Sequence, residues 1–509
     1  MIIFLILIGW WLCRPTIKEA VPADKKYFLT AGAIFKNEGH ILKEWLDHHR
    51  KEGFEHIYLV NDNSTDNYLE ILQPYLDEDY VTLINLPDNL DGFSKQGYAM
   101  KKILYPIAKK EANWFIANDL DEFITTRDNR SVSFNLKKYF NDAKVIRLDN
   151  IIFGSNDLID IPKSVKAYNR RANLNNFHRF RTDVKTICRP EFIDDINIHR
   201  PSSYYYPAIG SNPLFPTKIN ATETDLDNYK IVMYHYKSQA LNFWQNIKMS
   251  RGDADSSHQR LLNHFKEIND YANEVVDDSF SNKQYDRDRI DIVISRYNES
   301  LDWLKELNYI FRKRSVNYNI HLHIYNCGGP IENIPKIDHL TIHLHQIENR
   351  GMGLYKFLTH IINNYHNLAH MTMLLPGSAL QPNKREWTLK LLNGDWEART
   401  IYTNTINAPD LYNFTLENYT NQGCRNKIDK KIKLKPAPIQ PFGRWFEKTF
   451  NKPFPKGWVK TNFADIIGFS KEAILTNKIE IYQTLAEQLD DVHTEVAHYL
   501  ERSWYYFVQ

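Results

Sequence analysis

Apolar and polar positions alternate regularly along the first quarter of the chain. Apolar runs of strand length fall at residues 28–35, 56–60, 81–85 and 114–117. Between them lie segments with one apolar face, which predict helices over residues 40–52, up to about residue 76, and over 96–110. An alternation of strands and helices of this length predicts a parallel sheet with helices on both faces.

Polar side chains follow three of these strands at the point where each strand ends. Residues 36–38 (Lys-Asn-Glu) follow the first strand, Asp62 follows the second, and Asp119 and Asp121 follow the fourth. In open parallel sheets, ligands bind beyond the carboxyl ends of the strands. We therefore expect these three loops to meet at one crevice.

A second α/β domain is predicted after a polar segment at residues 271–290, which has few apolar side chains and indicates a linker. The pattern beyond it predicts a strand from residue 291, strands over 321–325 and 371–375, a helix over 354–365 and a long helical stretch over 471–504. The resulting division is an apolar leader (1–25), a first domain (26–270), the linker (271–290) and a second domain (291–509).

The two halves share one local pattern. Asn37-Glu38 after the first strand is followed by Trp45-Leu46, and Asn298-Glu299 is followed by Trp303-Leu304. Chance and a shared ancestral unit both explain this echo.

Size and composition agree with two globular domains. The chain has 509 residues, of which 43% are hydrophobic and 25% charged, enough for two buried cores. A net charge of +2 argues against a nucleic-acid partner, because no dense basic field is available to neutralise phosphates. The four cysteines show no CxxC spacing and indicate neither a zinc site nor a disulfide framework.

The first thirteen residues are almost wholly apolar. This run is shorter than the roughly 20 residues that span a bilayer, and it lacks a basic leader and a small-residue cleavage site. A short membrane anchor, a cleaved signal and a buried segment all fit the pattern, so membrane association through this segment is one expectation among three.

Asp119-Leu120-Asp121 places two carboxylates on one side of a turn directly after a buried strand. Carboxylate oxygens are preferred ligands of Mg²⁺ and Mn²⁺, which also keep water and phosphate ligands. By itself an Asp-x-Asp is usually a solvated loop. Its position after the fourth strand, with acidic residues on two earlier loops, favours a metal and nucleotide-sugar site.

An ordered series of motifs resembles the GT-A glycosyltransferases, and most closely family 92 and its relatives in the family-2-like group. The matching pieces, read from the sequence, are FKNE (35–38), VNDNS (60–64), FIANDLDEF (115–123), IFGSN (152–156), KTICRPE (185–191), IH (198–199), HYKS (235–238) and RG (251–252). The resemblance covers about residues 28–255 and implies an α/β fold with a GT-A (Rossmann-like) first domain. One departure is Lys36, where the family usually has arginine, which puts a bidentate phosphate contact there in doubt.

The resemblance also implies roles for individual residues. It implies a Mn²⁺ or Mg²⁺ ion held by Asp119, Asp121 and His235. It further implies a UDP-sugar donor bound by Lys36, Asn37, Glu38, Asp62, Gln96, Asp119, Asp121 and Arg251. Lys185 and Arg189 are candidates for contacts with the diphosphate or the acceptor, or else for structural ion pairs.

An inverting transfer, which the resemblance implies, needs a base that deprotonates the acceptor hydroxyl. The candidates are Asp157, Glu191, Asp194 and Asp195, and the sequence does not choose among them. We expect a hexosyl transfer, with galactosyl as one candidate, from a UDP-sugar to a glycan or glycoconjugate. The alternatives are a non-catalytic carbohydrate-binding protein that retains the fold and a nucleotidyltransferase.

Residues 291–504 resemble an uncharacterised domain family. The pieces that carry this resemblance include ISRYNE (294–299), IYN (324–326) and RG (350–351). No Asp-x-Asp follows the predicted strands of this half. Glu495, His498 and Glu501 recur along one presumed helix, where hydrogen bonding is favoured over metal binding.

Overall fold

The computed structural model of this protein describes residues 25–175, 185–196, 201–202, 208–218, 220–251, 260–337, 339–403, 405–416, 434–457 and 459–507. The chain forms two compact units, Met1–Gln284 (unit 1) and Tyr285–Gln509 (unit 2). The apolar segment 1–13 lies outside the described residues. Within the described ranges, no helix is both long enough and apolar enough to cross a membrane.

Unit 1 combines short strands with helices. The strands are β1 Tyr27–Phe35, β2 His56–Asn61, β3 Val81–Asn85, β4 Ala112–Ala117, β5 Glu122–Thr125, β6 Val145–Arg147, β7 Asp149–Ile152, β8 Arg170–Arg171, β9 Thr186–Cys188, β10 Asp195–Ile196, β11 Pro201–Ser202, β12 Ile209–Gly210, β13 Val232–His235 and β14 Val275–Val276. The α-helices are α1 Gly39–Lys51, α2 Tyr68–Asp77, α3 Lys95–Tyr98, α4 Tyr105–Glu111, α5 Val132–Tyr139, α6 Leu241–Phe243, α7 Met249–Arg251, α8 Leu262–Ala272 and α9 Ser279–Asn282. Two π-helical turns, Ala99–Leu104 and Trp244–Lys248, join α3 to α4 and α6 to α7.

The main sheet of unit 1 has the strand order β12-β6-β9-β4-β1-β2-β3. Strands β3, β2, β1 and β4 are parallel neighbours, while β9 runs antiparallel to β4. A smaller sheet, β5-β13-β7, continues from the turn after β4. The predicted α/β fold with a parallel sheet is therefore confirmed.

The core of unit 1 follows from the two faces of β1. Alternate side chains of this strand, from Leu29 to Phe35, pack into the main hydrophobic core together with Leu42 and Trp45 of α1. On the other face Gly32 lies under the π-helical turn Ala99–Leu104, and a Cβ there would come within 3.0 Å of Leu104 and Phe115. The Trp45 indole also donates a hydrogen bond of 2.9 Å to the Glu122 carbonyl, so α1 is tied to the turn after β4.

Part of the segment predicted to be a linker packs within unit 1. Strand β14 pairs with β8, and the Phe280 side chain is buried in the main core. Asp277 is also buried, with the guanidinium groups of Arg127 and Arg171 around its carboxylate. A polar composition suggested a solvated linker, but here the charges neutralise one another inside the unit.

Unit 2 has its own α/β architecture. Its strands are β15 Asp288–Arg296, β16 Tyr318–Asn326, β17 Leu340–Gln346, β18 Met371–Pro376, β19 Thr400–Tyr402, β20 Ile406–Ala408, β21 Val459–Thr461 and β22 Ile467–Ser470. Its α-helices are α10 Asn308–Arg314, α11 Met352–Asn364, α12 Arg385–Asn393, α13 Phe442–Phe450, α14 Lys471–Ile474, α15 Ile479–Gln488 and α16 Glu495–Phe507.

The sheet of unit 2 has the order β17-β16-β15-β18-β22-β19, in which the first four strands are parallel and β22 is antiparallel. Unit 1 shows the same arrangement, since β3-β2-β1-β4 is followed by an antiparallel strand. The shared Asn-Glu pattern follows the first strand in each unit. The echo in the sequence therefore coincides with a repeated strand order.

The C-terminal region differs from the prediction of one long helical stretch, because it contains three helices, α14, α15 and α16. Between α15 and α16 the Asp491 carboxylate accepts a hydrogen bond from the His493 amide, a local bond that competes with helix formation. Glu495 at the start of α16 accepts hydrogen bonds from the amides of Leu416 and Ala437. Its role is structural, as the sequence favoured.

Candidate active site

The turn between β4 and β5 carries the paired aspartates at the carboxyl edge of the main sheet. The Asn118 amide donates to the Gly32 carbonyl at 3.1 Å, which extends the pairing of β4 with β1. The chain then turns, and the Glu122 carboxylate accepts a hydrogen bond of 2.9 Å from the Asp119 amide. This turn leaves Asp119 one-third exposed and Asp121 buried.

Strand β13 brings His235 to Asp121 from 114 residues further along the chain. It pairs antiparallel with β5, so that His235 lies opposite Glu122. His235 Nε2 is 3.7 Å from Asp121 Oδ1. The Tyr236 amide donates to the Asp121 carbonyl at 2.8 Å and fixes the two segments together.

Two buried lysines neutralise the carboxylates of this turn. Lys248 Nζ lies 2.6 Å from Asp121 Oδ2, and Lys185 Nζ lies 3.1 Å from Asp119 Oδ2 and 3.2 Å from Glu122 Oε2. Lys248 was not expected from the sequence, since nothing in the spacing of residues 235–252 marks it. Lys185 was a candidate for a diphosphate contact, but its side chain is fully buried against the two carboxylates.

Electrostatics leave Asp121 charged and His235 neutral. Burial alone would raise the pKa of Asp121, but the charge and hydrogen bond of Lys248 outweigh it and hold that pKa well below its usual range. Burial lowers the pKa of His235 to about 3, although Asp121 opposes the shift. Burial also raises the pKa of Glu122, with Lys185 acting against it. An ionised carboxylate beside a neutral imidazole is a donor pair suited to a divalent metal ion.

The three predicted metal ligands do not form one cluster. Within the described part of the chain, the groups of three ligand atoms within 4.8 Å of one another do not include Asp119, Asp121 and His235 together. The physical reason is the engagement of Asp119, which faces Lys185 on one side and Gln96 Nε2 at 3.4 Å on the other. Asp121 and His235 form the close pair.

The loops after β1 and β2 supply the second side of the crevice. Glu38 and Asp62 are both buried, and the Asp62 amide donates to the Phe35 carbonyl at 2.9 Å. Lys95 at the start of α3 binds both oxygens of the Asp62 carboxylate, at 2.8 and 2.9 Å. This contact was not expected from the sequence.

Asn37 locks these two loops together. It has a positive φ of 52°, a conformation that asparagine tolerates better than most residues. Its amide donates to Ser64 Oγ at 3.1 Å and its Oδ1 accepts from the Thr65 amide at 2.7 Å. Asn37 therefore shapes the loop, while Lys36 beside it is half-buried. The Arg251 side chain lies outside the described residues.

The four candidate bases fall in different places. Asp157 is exposed on the turn after β7. Four residues before it, the Phe153 amide donates a hydrogen bond of 2.9 Å to the His235 carbonyl. Glu191 lies 3.9 Å from Lys25, which precedes β1, so it sits at the amino edge of the sheet, opposite the aspartates. Asp194 is exposed, and the Asp195 side chain lies outside the described residues.

Arg189 is not brought to the crevice either. Its guanidinium donates to the carbonyls of Asn141 and Ala143, and it lies 4.7 Å from the Trp114 ring centroid. Strand β9 runs antiparallel to β4, so residues after it move away from the carboxyl edge. Arg189 and Glu191 therefore belong to the opposite end of the sheet.

The two halves of the chain match two different families. Glycosyltransferase family 92 matches residues 31–288, just over half of the chain. A family described as a protein of unknown function (DUF3431) matches residues 292–509. A search of curated proteins finds no match.

Solved structures give weaker similarities. TarS 1–349 from S. aureus in complex with UDP is 19% identical with a TM-score of 0.22, and the match covers 32% of this chain and 47% of that chain. The mannosyltransferase PcManGT from Pyrobaculum calidifontis, in complex with GDP-Man and Mn²⁺, is 14% identical with a TM-score of 0.19, covering 37% and 51% of the two chains. This chain thus spans about half the length of these solved chains.

Proposed function

Because the chain belongs to glycosyltransferase family 92, we propose that residues 26–270 transfer a hexosyl unit from a UDP-sugar to a glycan or glycoconjugate acceptor. Galactosyl is the first donor sugar to test. The observation that carries the proposal is the pair formed by Asp121 and His235, buried at the carboxyl edge of a parallel sheet and 3.7 Å apart. Ligands of such sheets bind at this edge.

The residues present fit a divalent ion. Asp121 Oδ1 faces His235 Nε2, while Lys248 Nζ lies 2.6 Å from the other carboxylate oxygen, Oδ2. His235 Nδ1, on the other side of the ring, lies 4.0 Å from Glu122 Oε1, so a carboxylate stands near the nitrogen that would not bind the ion. Asp121 and His235 would hold the ion, and its imidazole ligand favours Mn²⁺ over Mg²⁺, which prefers oxygen. Such an ion neutralises the charge of the departing nucleoside diphosphate.

The protein's own groups orient the donor. Carboxylates accept hydrogen bonds from hydroxyls and from an imide N–H, so Asp62 and Glu38 suit a ribose and a uracil ring. Lys95 holds Asp62 in place and Asn37 fixes the loop beside it. Gln96 donates to Asp119 at 3.4 Å, and because both side chains are partly exposed they are available to contact the donor. Lys36 and Arg251 supply positive charge for the diphosphate.

Asp157 is the base that we propose for the acceptor hydroxyl in an inverting transfer. It lies on the turn that continues from β7 beside His235, whereas Glu191 lies at the other edge of the sheet. Asn156 and Asp157 both have positive φ values, 53° and 61°, and Asn156 Nδ2 is held by the Asn169 side chain at 2.6 Å. A backbone strained in this way and fixed by its neighbours is common at functional sites.

The experiment that tests the activity is UDP release from a panel of UDP-sugars, with Mn²⁺ and a mixture of glycan acceptors. We expect release with one donor, and loss of release by about 10²-fold or more in Asp121→Asn, because this carboxylate would hold the ion that neutralises the departing diphosphate. Asp142→Asn, an exposed aspartate away from the crevice, is the matched control and should keep full activity. Failure of every donor to give UDP contradicts the proposal.

The same panel separates the alternatives. A non-catalytic carbohydrate-binding protein would bind a glycan without releasing UDP from any donor. A nucleotidyltransferase would instead release pyrophosphate from a nucleoside triphosphate.

The base is tested by kinetics at saturating donor. Asp157→Asn should lower kcat by about 10²- to 10⁴-fold with an unchanged KM for the donor, because only proton removal is lost. Glu191→Gln is the control and should behave as the wild type. If Asp157→Asn is as active as Glu191→Gln, Asp157 is not the base.

A further inference from the structure

One face of the sheet in unit 2 carries an unusual group of imidazoles. Side chains alternate between the faces of a strand, so His321 and His323 on β16 share a face, as do His343 and His345 on β17. The register places His323 beside His343. Asp291 lies on the same face of β15, opposite His321. Helix α11 covers this face and contributes His360.

Three of these side chains converge on one point. His360 Nε2 lies 3.1 Å from Asp291 Oδ2, and His323 Nε2 lies 3.4 Å from Asp291 Oδ1. The ligand atoms of the three residues all lie within 4.8 Å of one another. Ligand atoms about 2.0–2.1 Å from a tetrahedral ion are about 3.3 Å apart, so the two separations from Asp291 match a metal site as well as an ion pair.

In both His360 and His323, the ring nitrogen that faces away from Asp291 also has a polar partner. His360 Nδ1 lies 3.2 Å from Tyr325 Oη, and His323 Nδ1 lies 3.1 Å from His345 Nε2. Metal-bound histidines almost always place the other ring nitrogen against such a partner, which fixes the tautomer with the inner nitrogen free to bind. This arrangement directs both Nε2 atoms towards Asp291.

Burial makes the cluster costly without a further group. His360 is fully buried and Asp291 is 1% exposed. Asp291 Oδ1 and His323 Nε2 face each other, yet neither makes a hydrogen bond within the described part of the chain. The competing explanation is an ion pair, because Arg289 Nε lies 3.1 Å from Asp291 Oδ1. That guanidinium is one-quarter exposed and does not satisfy His323.

We propose that Asp291, His323 and His360 bind a divalent transition-metal ion, with zinc as the best match to two imidazoles and one carboxylate. Zinc sites of this ligand composition leave a fourth position for water. The partly exposed His321 and His343 at the edge of the sheet offer a path for entry of the ion. The site lies on the face of the sheet under α11, in the unit that has no Asp-x-Asp after its strands, and it is independent of the site in unit 1.

Zinc and cobalt are the probes for the test. The full-length protein, purified without immobilised metal and freed of bound ions with a chelator, is titrated with Zn²⁺ against a coloured competitor and with Co²⁺ by absorption. We expect one tightly bound Zn²⁺ that Asp121→Asn in unit 1 retains, and visible d–d bands from Co²⁺ bound by nitrogen and oxygen. A wild-type protein that binds neither ion under these conditions overturns the proposal, whatever the variants do.

Variants assign the ligands. His360→Gln and Asp291→Asn should weaken Zn²⁺ binding by at least about 100-fold, and Tyr325→Phe by about tenfold, because it only orients His360. His370→Gln, which removes a histidine paired with Glu397 elsewhere in unit 2, is the matched control and should bind as the wild type.

Two further outcomes are decisive. Asp121→Asn in unit 1 should bind Zn²⁺ normally, which separates this site from the proposed glycosyltransferase site. Folding of each variant is checked by circular dichroism, and the wild-type Co²⁺ spectrum decides if a variant fails to fold. Folded ligand variants that bind Zn²⁺ as tightly as the wild type would show that the cluster is only an ion pair.

Discussion

The substitution Asp277→Asn removes one charge from the centre of a buried network in unit 1. Arg127 Nη1 lies 2.8 Å from Asp277 Oδ2, and Arg171 Nε lies 2.7 Å from the same oxygen. The Ser279 amide donates to the other oxygen at 3.1 Å. Arg127 also contacts the hydroxyl of Tyr234, next to His235, so the network supports the strand that carries the proposed metal ligand.

The size of the effect follows from the pKa of Asp277. Burial alone would raise this pKa, but Arg127, Ser279 and Arg171 outweigh it and lower it from 3.8 to about 2. A shift of this size corresponds to about 2 kcal/mol of stability at neutral pH. Removing one partner of a buried pair costs about 3–5 kcal/mol, and both arginines keep a second carboxylate, so we expect a loss of about 2–3 kcal/mol.

Scanning calorimetry of the full chain measures this loss. The transition of unit 1 should fall by about 5–10 °C at pH 7, given about 2–4 °C per kcal/mol for a unit of this size. Because the folded pKa is depressed, the contribution of Asp277 is present above about pH 4 and is lost as the pH falls towards 2. The difference between variant and wild type should therefore shrink over that interval.

Asp278→Asn is the matched control for this prediction. Asp278 is exposed and accepts one hydrogen bond from Asn169, so its loss should cost less than about 0.5 kcal/mol. If Asp277→Asn is as mild as this control, or if its effect does not change with pH, the reasoning is refuted. Residues 275–282 would then behave as the solvated linker that the sequence predicts.

Three further outcomes are expected. Lys185→Met should lower the free energy of unfolding of unit 1 by about 3 kcal/mol in urea, because it leaves two carboxylates without their buried cation. The same change at the more exposed Lys95 is the control and should cost less than about 1 kcal/mol. His235→Gln should raise the Mn²⁺ concentration needed for half-maximal UDP release by at least about tenfold at little cost in melting temperature, and an unchanged Mn²⁺ requirement would remove it from the metal site. Gly53→Ala should lower the melting temperature, since φ is 87° and the new Cβ would lie 2.0 Å from Ser133 Oγ; calorimetry showing no change would contradict this clash.

Much of the fold could be read from the sequence because unit 1 begins with strongly periodic segments. The predicted strands at 56–60 and 81–85 agree with β2 and β3 to within one residue, and the predicted helix at 40–52 agrees equally well with α1. Apolar runs bounded by polar turns leave few alternatives. The resemblance to glycosyltransferase family 92, and that of the second half to an uncharacterised family, are both confirmed by the matches. The GT-A assignment for the first domain follows from that membership.

Polar segments were harder to interpret because composition does not report burial. Asp277 lies in a stretch that reads as solvated, yet its charge is buried between two arginines that precede it by 150 and 106 residues. The long helical stretch at the C-terminus was interrupted by a local hydrogen bond at Asp491. The alternating histidines of β16 and β17 were visible in the sequence, but their meeting with Asp291 depends on the parallel register.

By itself the sequence determined the first strands and helices of unit 1, the loops at which acidic residues gather and the family to which the first half belongs. These features are local, since apolar periodicity and short motifs lie within a few residues of one another. Only the tertiary structure decided which side chains meet. Asp121 lies next to His235, Lys185 contacts Asp119 and Glu122, and Glu191 lies at the opposite edge of the sheet. The physical reason is that the direction and register of β9 and β13 depend on pairing between residues far apart in the chain, which no local pattern specifies.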